Sequence, residues 1–337
     1  MIRVLTTASH RFTIDRYLAS WGMRFLLRIQ PLAYEQALSR GALRGGVHLF
    51  TDMDRLSEEA RRAAAALWEQ LRRCYGPGAV LNHPTESLRR FELLATLHAR
   101  GLNAFGVHRV QDDPGAMRFP VFLRAADDHR GNRTPPLRSR AELAEAVHRL
   151  ETLGASFNDW MVVEFCDTAD RHGLYRKYSA FRIGSRIIPR HLFTGRAWCL
   201  KQSESVEPEH CREELAYLEA NPHREALLRL FELARIEYGR IDYSLLDGRI
   251  QAWEINTNPM LPWHGNREET ARLAAHRRFA EQLAGAWEEL DGIHPASLIY
   301  PAEWVKTVGR VSREILRNAG LIRGHGFPPD LVPALSL

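Results

Sequence analysis

Short apolar runs alternate with longer, periodically apolar segments along the first eighty residues. Residues 2–6 (IRVLT) and 47–51 (VHLFT) read as buried strands, and the spacing over 14–29 and 32–40 predicts helices between them. Segment 57–73 predicts a further helix. Ser57 stands at its cap position, Glu58 and Glu59 in its first turn, and Arg72 and Arg73 in its last, so the charges complement the helix dipole. Tyr75-Gly76-Pro77-Gly78 stops it, and Val80-Leu81 begins another strand. Strands alternating with helices in this way predict a small parallel α/β unit.

Farther along, Pro84 opens a predicted helix over 85–100 that Gly101 closes. FPVFLR (119–124) reads as a strand running into a polar stretch at 127–133. Ser139-x-x-Glu142 is a capping box for a helix that Gly154 ends, and MVVEF (161–165) is a short apolar strand. Residues 178–183 and 186–192 predict a hairpin turning at Gly184-Ser185. Helices follow at 208–219 and 223–238, the latter stopped by Gly239. A second hairpin, turning at Asp247-Gly248, occupies the stretch from Gly239 to Pro259. Helices at 267–290 and 302–319 and a Pro-rich tail at 327–337 complete the expectation.

Composition narrows the class. With 337 residues, 45% hydrophobic and 26% charged, the chain is globular in character, which excludes disorder, collagen or coiled coil as a description of the whole. No run of about 18 apolar residues occurs, so no membrane span is expected. The four cysteines, at 74, 166, 199 and 211, form no C-x-x-C pair, so neither a disulfide framework nor a structural zinc site is indicated. The first residues lack the apolar core of a signal peptide, and a reducing, cytoplasmic setting is expected. Lys and Arg exceed Asp and Glu by 5, and the surplus is spread along the chain. That favours a basic surface suited to an anionic small molecule over a nucleic-acid partner.

The second hairpin carries the most chemistry. Glu254 and Asn256 are two apart on one strand and share a face. A carboxylate set between Trp253 and Ile255 is costly without a partner. Whether Asp242 joins them depends on loop parity. A two-residue Asp247-Gly248 turn pairs Asp242 with Trp253 and faces it away. A three-residue loop, with Gly248 in the left-handed position of a bulge, brings Asp242 to the same face. Three hard oxygen donors on one rigid face suit Mg²⁺. The stretch 175–191 is dense in cations, with Lys177, Ser179 and Phe181 on one face and Tyr178, Ala180 and Arg182 on the other. His191 and His264 show no metal-ligand spacing and read as structural, and no P-loop, dinucleotide or nucleophile-elbow motif occurs.

The pattern Asp242-x(11)-Glu254-x-Asn256 followed by Pro259 resembles the ATP-grasp superfamily, in particular carboxylate–amine ligases similar to glutathione synthetase and D-alanine–D-alanine ligase. Weaker landmarks keep the family's order over about 80–262: Asn82-His83-Pro84, the FPVFLR strand and the MVVEF strand. The resemblance implies an α/β fold with a pre-ATP-grasp domain at 1–82, a central subdomain at 83–165, a C-terminal subdomain with the metal site at 166–290, and a helix and tail at 291–337. It implies ATP and Mg²⁺ as cofactors, two ions with Mn²⁺ able to substitute, held by Asp242, Glu254 and Asn256. Arg124 stands where the family usually has Lys, and Arg89 or Arg90, taken as Arg90, is the basic residue of the preceding helix; both are implied to neutralise phosphates. Gly131 is implied to let a loop approach them, and Glu164, Phe165 and Cys166 to line the adenine slot. Cys166 reads as a small slot-lining group, not a nucleophile. Lys177 first and Arg182 second are implied near the γ-phosphate, with Lys201 a further candidate. The implied reaction couples a small-molecule or peptide carboxylate to an amine through an acyl phosphate, with no membrane partner and with homodimers common in the family. Two alternatives stand beside it: a phosphotransferase on the same fold, and a non-catalytic nucleotide- or RNA-binding protein.

Overall fold

The computed structural model describes residues 1–40, 43–126, 131–152, 160–204, 207–263 and 272–293. The predicted helix at 302–319, the tail, Gly154, His264 and residues 127–130 of the polar loop lie outside the described residues.

The parallel unit forms as expected, with one strand more. β1 (Ile2–Thr6) is flanked by β2 (Ile29–Ala33) and β3 (Val47–Phe50), and β4 (Val80–Leu81) extends the sheet in the order β2-β1-β3-β4, all parallel. The helices expected at 14–29 and 32–40 are corrected to α1 (Phe12–Leu18), strand β2 and α2 (Tyr34–Arg40). Ile29, Leu32 and Ala33 are buried, and Pro31 is tolerated because β2 is an edge strand that can spare one N–H. In α3 (Glu58–Tyr75) the Ser57 hydroxyl accepts from the Ala60 N–H at 3.2 Å, and Ala64, Leu67 and Leu71 turn one stripe to the interior.

The middle of the chain builds a second, antiparallel sheet. α4 (Arg90–Ala99) starts later than Pro84 suggested, and β5 (Val107–Arg109), β6 (Val121–Ala125) and β7 (Trp160–Glu164) assemble in the order β5-β7-β6. α5 (Arg140–Thr152) covers the outer face, its Leu143 and Ala146 packing with Val121, Leu123 and Val162. Its cap forms through Glu142 N–H to Ser139 Oγ, while the Glu142 carboxylate accepts from the N–H of Arg138.

A third sheet carries both predicted hairpins. β8 (Tyr175–Ile183) and β9 (Arg186–Gly195) form one, α6 (Pro208–Ala220) and α7 (Arg224–Ala234) follow, and β10 (Tyr238–Leu246) and β11 (Arg249–Asn256) form the other. The antiparallel order is β11-β10-β8-β9. α7 ends at Arg235, in a left-handed conformation at φ 54°, and not at Gly239. Gly239 lies inside β10, where a Cβ would stand 3.0 Å from the Asn256 carbonyl oxygen. α8 (Leu273–Ile293) binds the units together: its Phe279, Leu283 and Trp287 share a core with Val4 and Val47 of the first sheet and Phe181 of the third. Leu93, Phe231, Met161 and Ala252 join the second sheet to the third. Asn82, at φ 62°, stitches the first sheet to β10: its amide donates to the carbonyls of Phe50 and Tyr238 and accepts from the N–H groups of Glu237 and Tyr238. The result is the expected mixed α/β class, one parallel and two antiparallel sheets, with a cleft between the second and third.

Candidate active site

The cleft encloses a cavity of about 370 Å³. One end is apolar. Trp198 touches both Phe122 and Phe165, ring centroids 5.1 and 5.6 Å away, with Cys166 and Leu200 beside them. The other end is charged: Arg124, Lys177, Lys201 and Arg240 border it with Asp242, Glu254 and Asn256.

A bulge brings the acidic residues together. The turn is the two-residue Asp247-Gly248 form, both residues at positive φ (50° and 73°), and pairing runs Leu246↔Arg249 to Tyr243↔Ala252. That register alone would set Asp242 opposite Trp253. It shifts between Tyr243 and Asp242, so Asp242 faces Glu254 and Arg240 faces Asn256. Parity is therefore reset inside the ladder, not in the loop as the three-residue alternative required, and Trp253 is the extra residue. The next strands continue the row: Asp242 pairs with Ser179, and Ser179 with His191. Glu254, Asp242, Ser179 and His191 thus line up across all four strands on one face.

Each carboxylate of the row meets cations. Glu254 accepts from Arg90 Nη2 at 2.6 Å and from Arg124 Nη2. Asp242 receives a two-pronged contact from Arg240 at 2.8 and 3.1 Å, and Lys177 Nζ lies 3.5 Å away. Burial lowers the Arg124 pKa, with Glu254 opposing it. For Arg240 burial also acts downward, but Asp242 and Glu254 outweigh it and the net shift is upward. Asn256 Oδ1 accepts from the Asn258 N–H at 2.8 Å.

The expected site residues divide. Asp242, Glu254, Asn256, Arg124, Gly131, Lys177, Lys201, Phe165 and Cys166 all border the cavity. Arg90 does not: it is buried, and its Nη1 donates to the carbonyls of Ala125 and Ala126 at 3.0 Å while Nη2 holds Glu254. It braces Glu254 and the end of β6 instead of facing phosphate. Glu164 is also turned away, accepting from the N–H groups of Gly106 and Arg118 at 2.9 and 2.8 Å; these bonds outweigh the upward effect of burial and lower its pKa. Arg182 lies outside the cleft, donating to the carbonyls of Gly184 and Ile236, because its parity on β8 is opposite to that of Lys177 and Ser179. Burial pushes the Cys166 thiol up to about 11, so it stays protonated near neutrality and is no nucleophile. Gly131 sits at φ +88°, and a Cβ there would come within 3.2 Å of Lys201 Cε.

Sequence reasoning missed Arg240 and Trp198. Arg240 shares the face of Asp242 by its i, i+2 spacing, a signal the hairpin already contained. Trp198 lies in an apolar run whose direction no periodicity fixes.

Among the described residues no three His, Cys, Asp or Glu side chains converge as a metal site. The third oxygen donor beside Asp242 and Glu254 is an amide, Asn256. Two carboxylates and an amide on rigid strands are an all-oxygen set that fits a hard divalent ion. Among the described residues no helix is long and apolar enough to cross a membrane.

No protein-family model matches the sequence, and no curated protein matches it. Solved structures do resemble it. D-alanine–D-alanine ligase from Bacillus anthracis is 13% identical, at a TM-score of 0.48, over 93% of this chain and 98% of that one. The ATP-grasp ligase PsnB, complexed with a minimal precursor, is 14% identical at 0.48, over 85% and 99%. N5-carboxyaminoimidazole ribonucleotide synthetase from Thermus thermophilus is 15% identical at 0.46, over 76% and 71%. These likenesses concern the fold alone.

Proposed function

We propose that the protein is an ATP-grasp enzyme that couples a carboxylate to an amine at the cost of ATP, with residues 1–82, 83–165 and 166–290 as its three working units. The observation that carries this reading is the row of Glu254 and Asp242 with Asn256 beside it, set into a cleft that also holds Arg124, Lys177 and Arg240 and ends in an aromatic slot. A purine fits the slot of Phe122, Phe165 and Trp198, and the cations fit a polyphosphate.

Asp242, Glu254 and Asn256 would hold Mg²⁺, which when bound supplies charge neutralisation at the transferring phosphoryl group. Arg124, Lys177 and Arg240 add fixed positive charge at the same end, preorganised by their contacts with the two carboxylates. A substrate carboxylate oxygen attacks the γ-phosphorus and the bond to the ADP oxygen breaks. The amine nitrogen then attacks the acyl carbon, phosphate leaves with the C–O bond, and the nitrogen loses a proton. Positioning and electrostatics supply most of the rate.

The test is product analysis. With MgATP, a panel of carboxylates and a panel of amines, the full chain should release ADP and free phosphate only when both substrates are present. A phosphorylated product retained without the amine would instead make it a phosphotransferase. Nucleotide binding with no ADP from any pair would favour the non-catalytic reading, to which the Arg pairing of both carboxylates lends some support.

A further inference from the structure

The far end of the row carries a second set of groups that the nucleotide does not use. β9 is also bulged: Ser179 pairs with His191 and Ala180 with Pro189, so Arg190 is the extra residue. A bulge sets two residues against one partner and re-aims side chains, and this one turns Arg190 toward the face shared by His191, Ser179 and Asp242. Both bulges of the sheet therefore adjoin the same row.

The polar atoms gathered there lack partners. Arg190 Nη1, His191 Nε2 and Ser179 Oγ are buried without a hydrogen bond among the described residues. His191 is 6% exposed and stacks on Phe193, centroids 3.8 Å apart. Arg190 lies over Phe279 at 4.6 Å, a contact that positions a guanidinium without neutralising it. The surrounding charges are nearly all positive. Arg240 and Lys177 are engaged with Asp242, and Arg272 with Glu214, whose carboxylate also accepts from the Leu192 N–H. That leaves Arg190 as a guanidinium with no carboxylate in contact among the described residues. Burial, reinforced by Arg240, Arg190, Lys177 and Arg272, keeps His191 neutral. A half-buried guanidinium with no carboxylate in contact among the described residues is costly, and the two unpaired polar groups beside it, on His191 and Ser179, add to the cost. An anionic oxygen group would satisfy all of them at once: a fork from Arg190, an N–H from His191 and a hydroxyl from Ser179.

We propose that Ser179, Arg190 and His191 form an anion subsite that holds a carboxylate or phosphate group of the substrate, so that the enzyme acts on an acidic substrate. Strand spacing puts His191 roughly 10 Å across the sheet from Asp242. An anion bound there reaches along the row toward the γ-phosphate end and anchors the substrate while it reacts. The proposal rests on the cleft being the reaction centre, but the subsite can be tested apart from it.

The full chain, with and without a saturating non-hydrolysable ATP analogue and Mg²⁺, is titrated calorimetrically with glutarate and, separately, with inorganic phosphate. One of the two should bind, and the preferred one identifies the anion. Arg190→Met keeps the side-chain length and its packing on Phe279 but removes the charge. It should weaken that binding about tenfold or more, the loss expected for a charge-assisted hydrogen bond. Its melting temperature without anion should be unchanged or higher, because an unmatched charge has gone; a merely structural arginine would lower it. Ser179→Ala should weaken anion binding with analogue affinity unchanged. Equal anion affinity in wild type and Arg190→Met, or no binding of either anion, would overturn the subsite. Failure of the analogue alone to bind would count against the nucleotide reading and leave the anion titration to decide the subsite.

Discussion

Glu254→Gln separates the two jobs that Glu254 does. The side chain is 12% exposed and accepts from Arg90 and Arg124 together. Glutamine keeps the shape and one acceptor oxygen but leaves two guanidinium groups facing a neutral amide. Breaking a buried ion pair costs about 3–5 kcal/mol, and the retained acceptor puts this case near the lower end, ~3 kcal/mol. For a chain of this size that corresponds to a fall of roughly 4 °C in melting temperature. Removing Arg124 as well, in Glu254→Gln/Arg124→Met, takes away one stranded cation and should recover about half of the loss, a non-additivity that a double-mutant cycle reads directly. Turnover behaves differently. Both variants lose a proposed metal ligand, so ADP formation should fall by roughly 10²–10³ or more in each, with no recovery in the double variant. Differential scanning calorimetry and a coupled ADP assay supply the two readouts. If Glu254→Gln retains turnover within a few-fold of wild type, the reasoning about the row is wrong.

Other consequences follow from single contacts. Arg240→Met should cut ADP formation at least about tenfold while analogue binding weakens less, because among the described residues Asp242 then keeps only Lys177 and the transferring group loses a fixed charge; equal kcat would contradict this. Cys166, raised to about 11, should alkylate more slowly at pH 8 than the exposed Cys74, and the ATP analogue should slow it further; equal rates by mass spectrometry would contradict its place beside the slot. His48 is fully buried, and burial lowers its pKa to about 4. The unfolded chain takes up that proton near pH 6.5 and the folded state only near 4, so acidification across this window favours unfolding by on the order of 3 kcal/mol. His48→Gln should flatten the fall of the urea midpoint between those pH values; an unchanged slope would show that other groups carry it.

What the sequence revealed follows the range of the interactions involved. The α3 helix was legible because its cap, charges and apolar stripe are local. β2 was not: Ile29 and Leu32 fit a helical spacing too, and only pairing with β1 decides for a strand. The same contrast marks the site. Glu254 and Asn256 were legible as partners from period two alone. The alignment of Asp242 was not, because an extra residue within a ladder leaves no local signature and both loop-based alternatives assumed an unbroken register. Arg90 could be singled out as basic, yet its engagement with Glu254 spans 164 residues of sequence and depends on tertiary packing. Period two already set Arg182 on the face opposite Lys177; only the resemblance brought it toward the γ-phosphate, and its contacts with the carbonyls of Gly184 and Ile236 hold it outside the cleft.

The most direct measurement of the central claim is a crystal structure of the full chain with a non-hydrolysable ATP analogue and Mg²⁺. The account predicts adenine against Phe122, Phe165 and Trp198, phosphate oxygens on Arg124, Lys177 and Arg240, and metal density bounded by Asp242, Glu254 and Asn256. A nucleotide bound elsewhere, with both carboxylates still locked to their arginines, would contradict it.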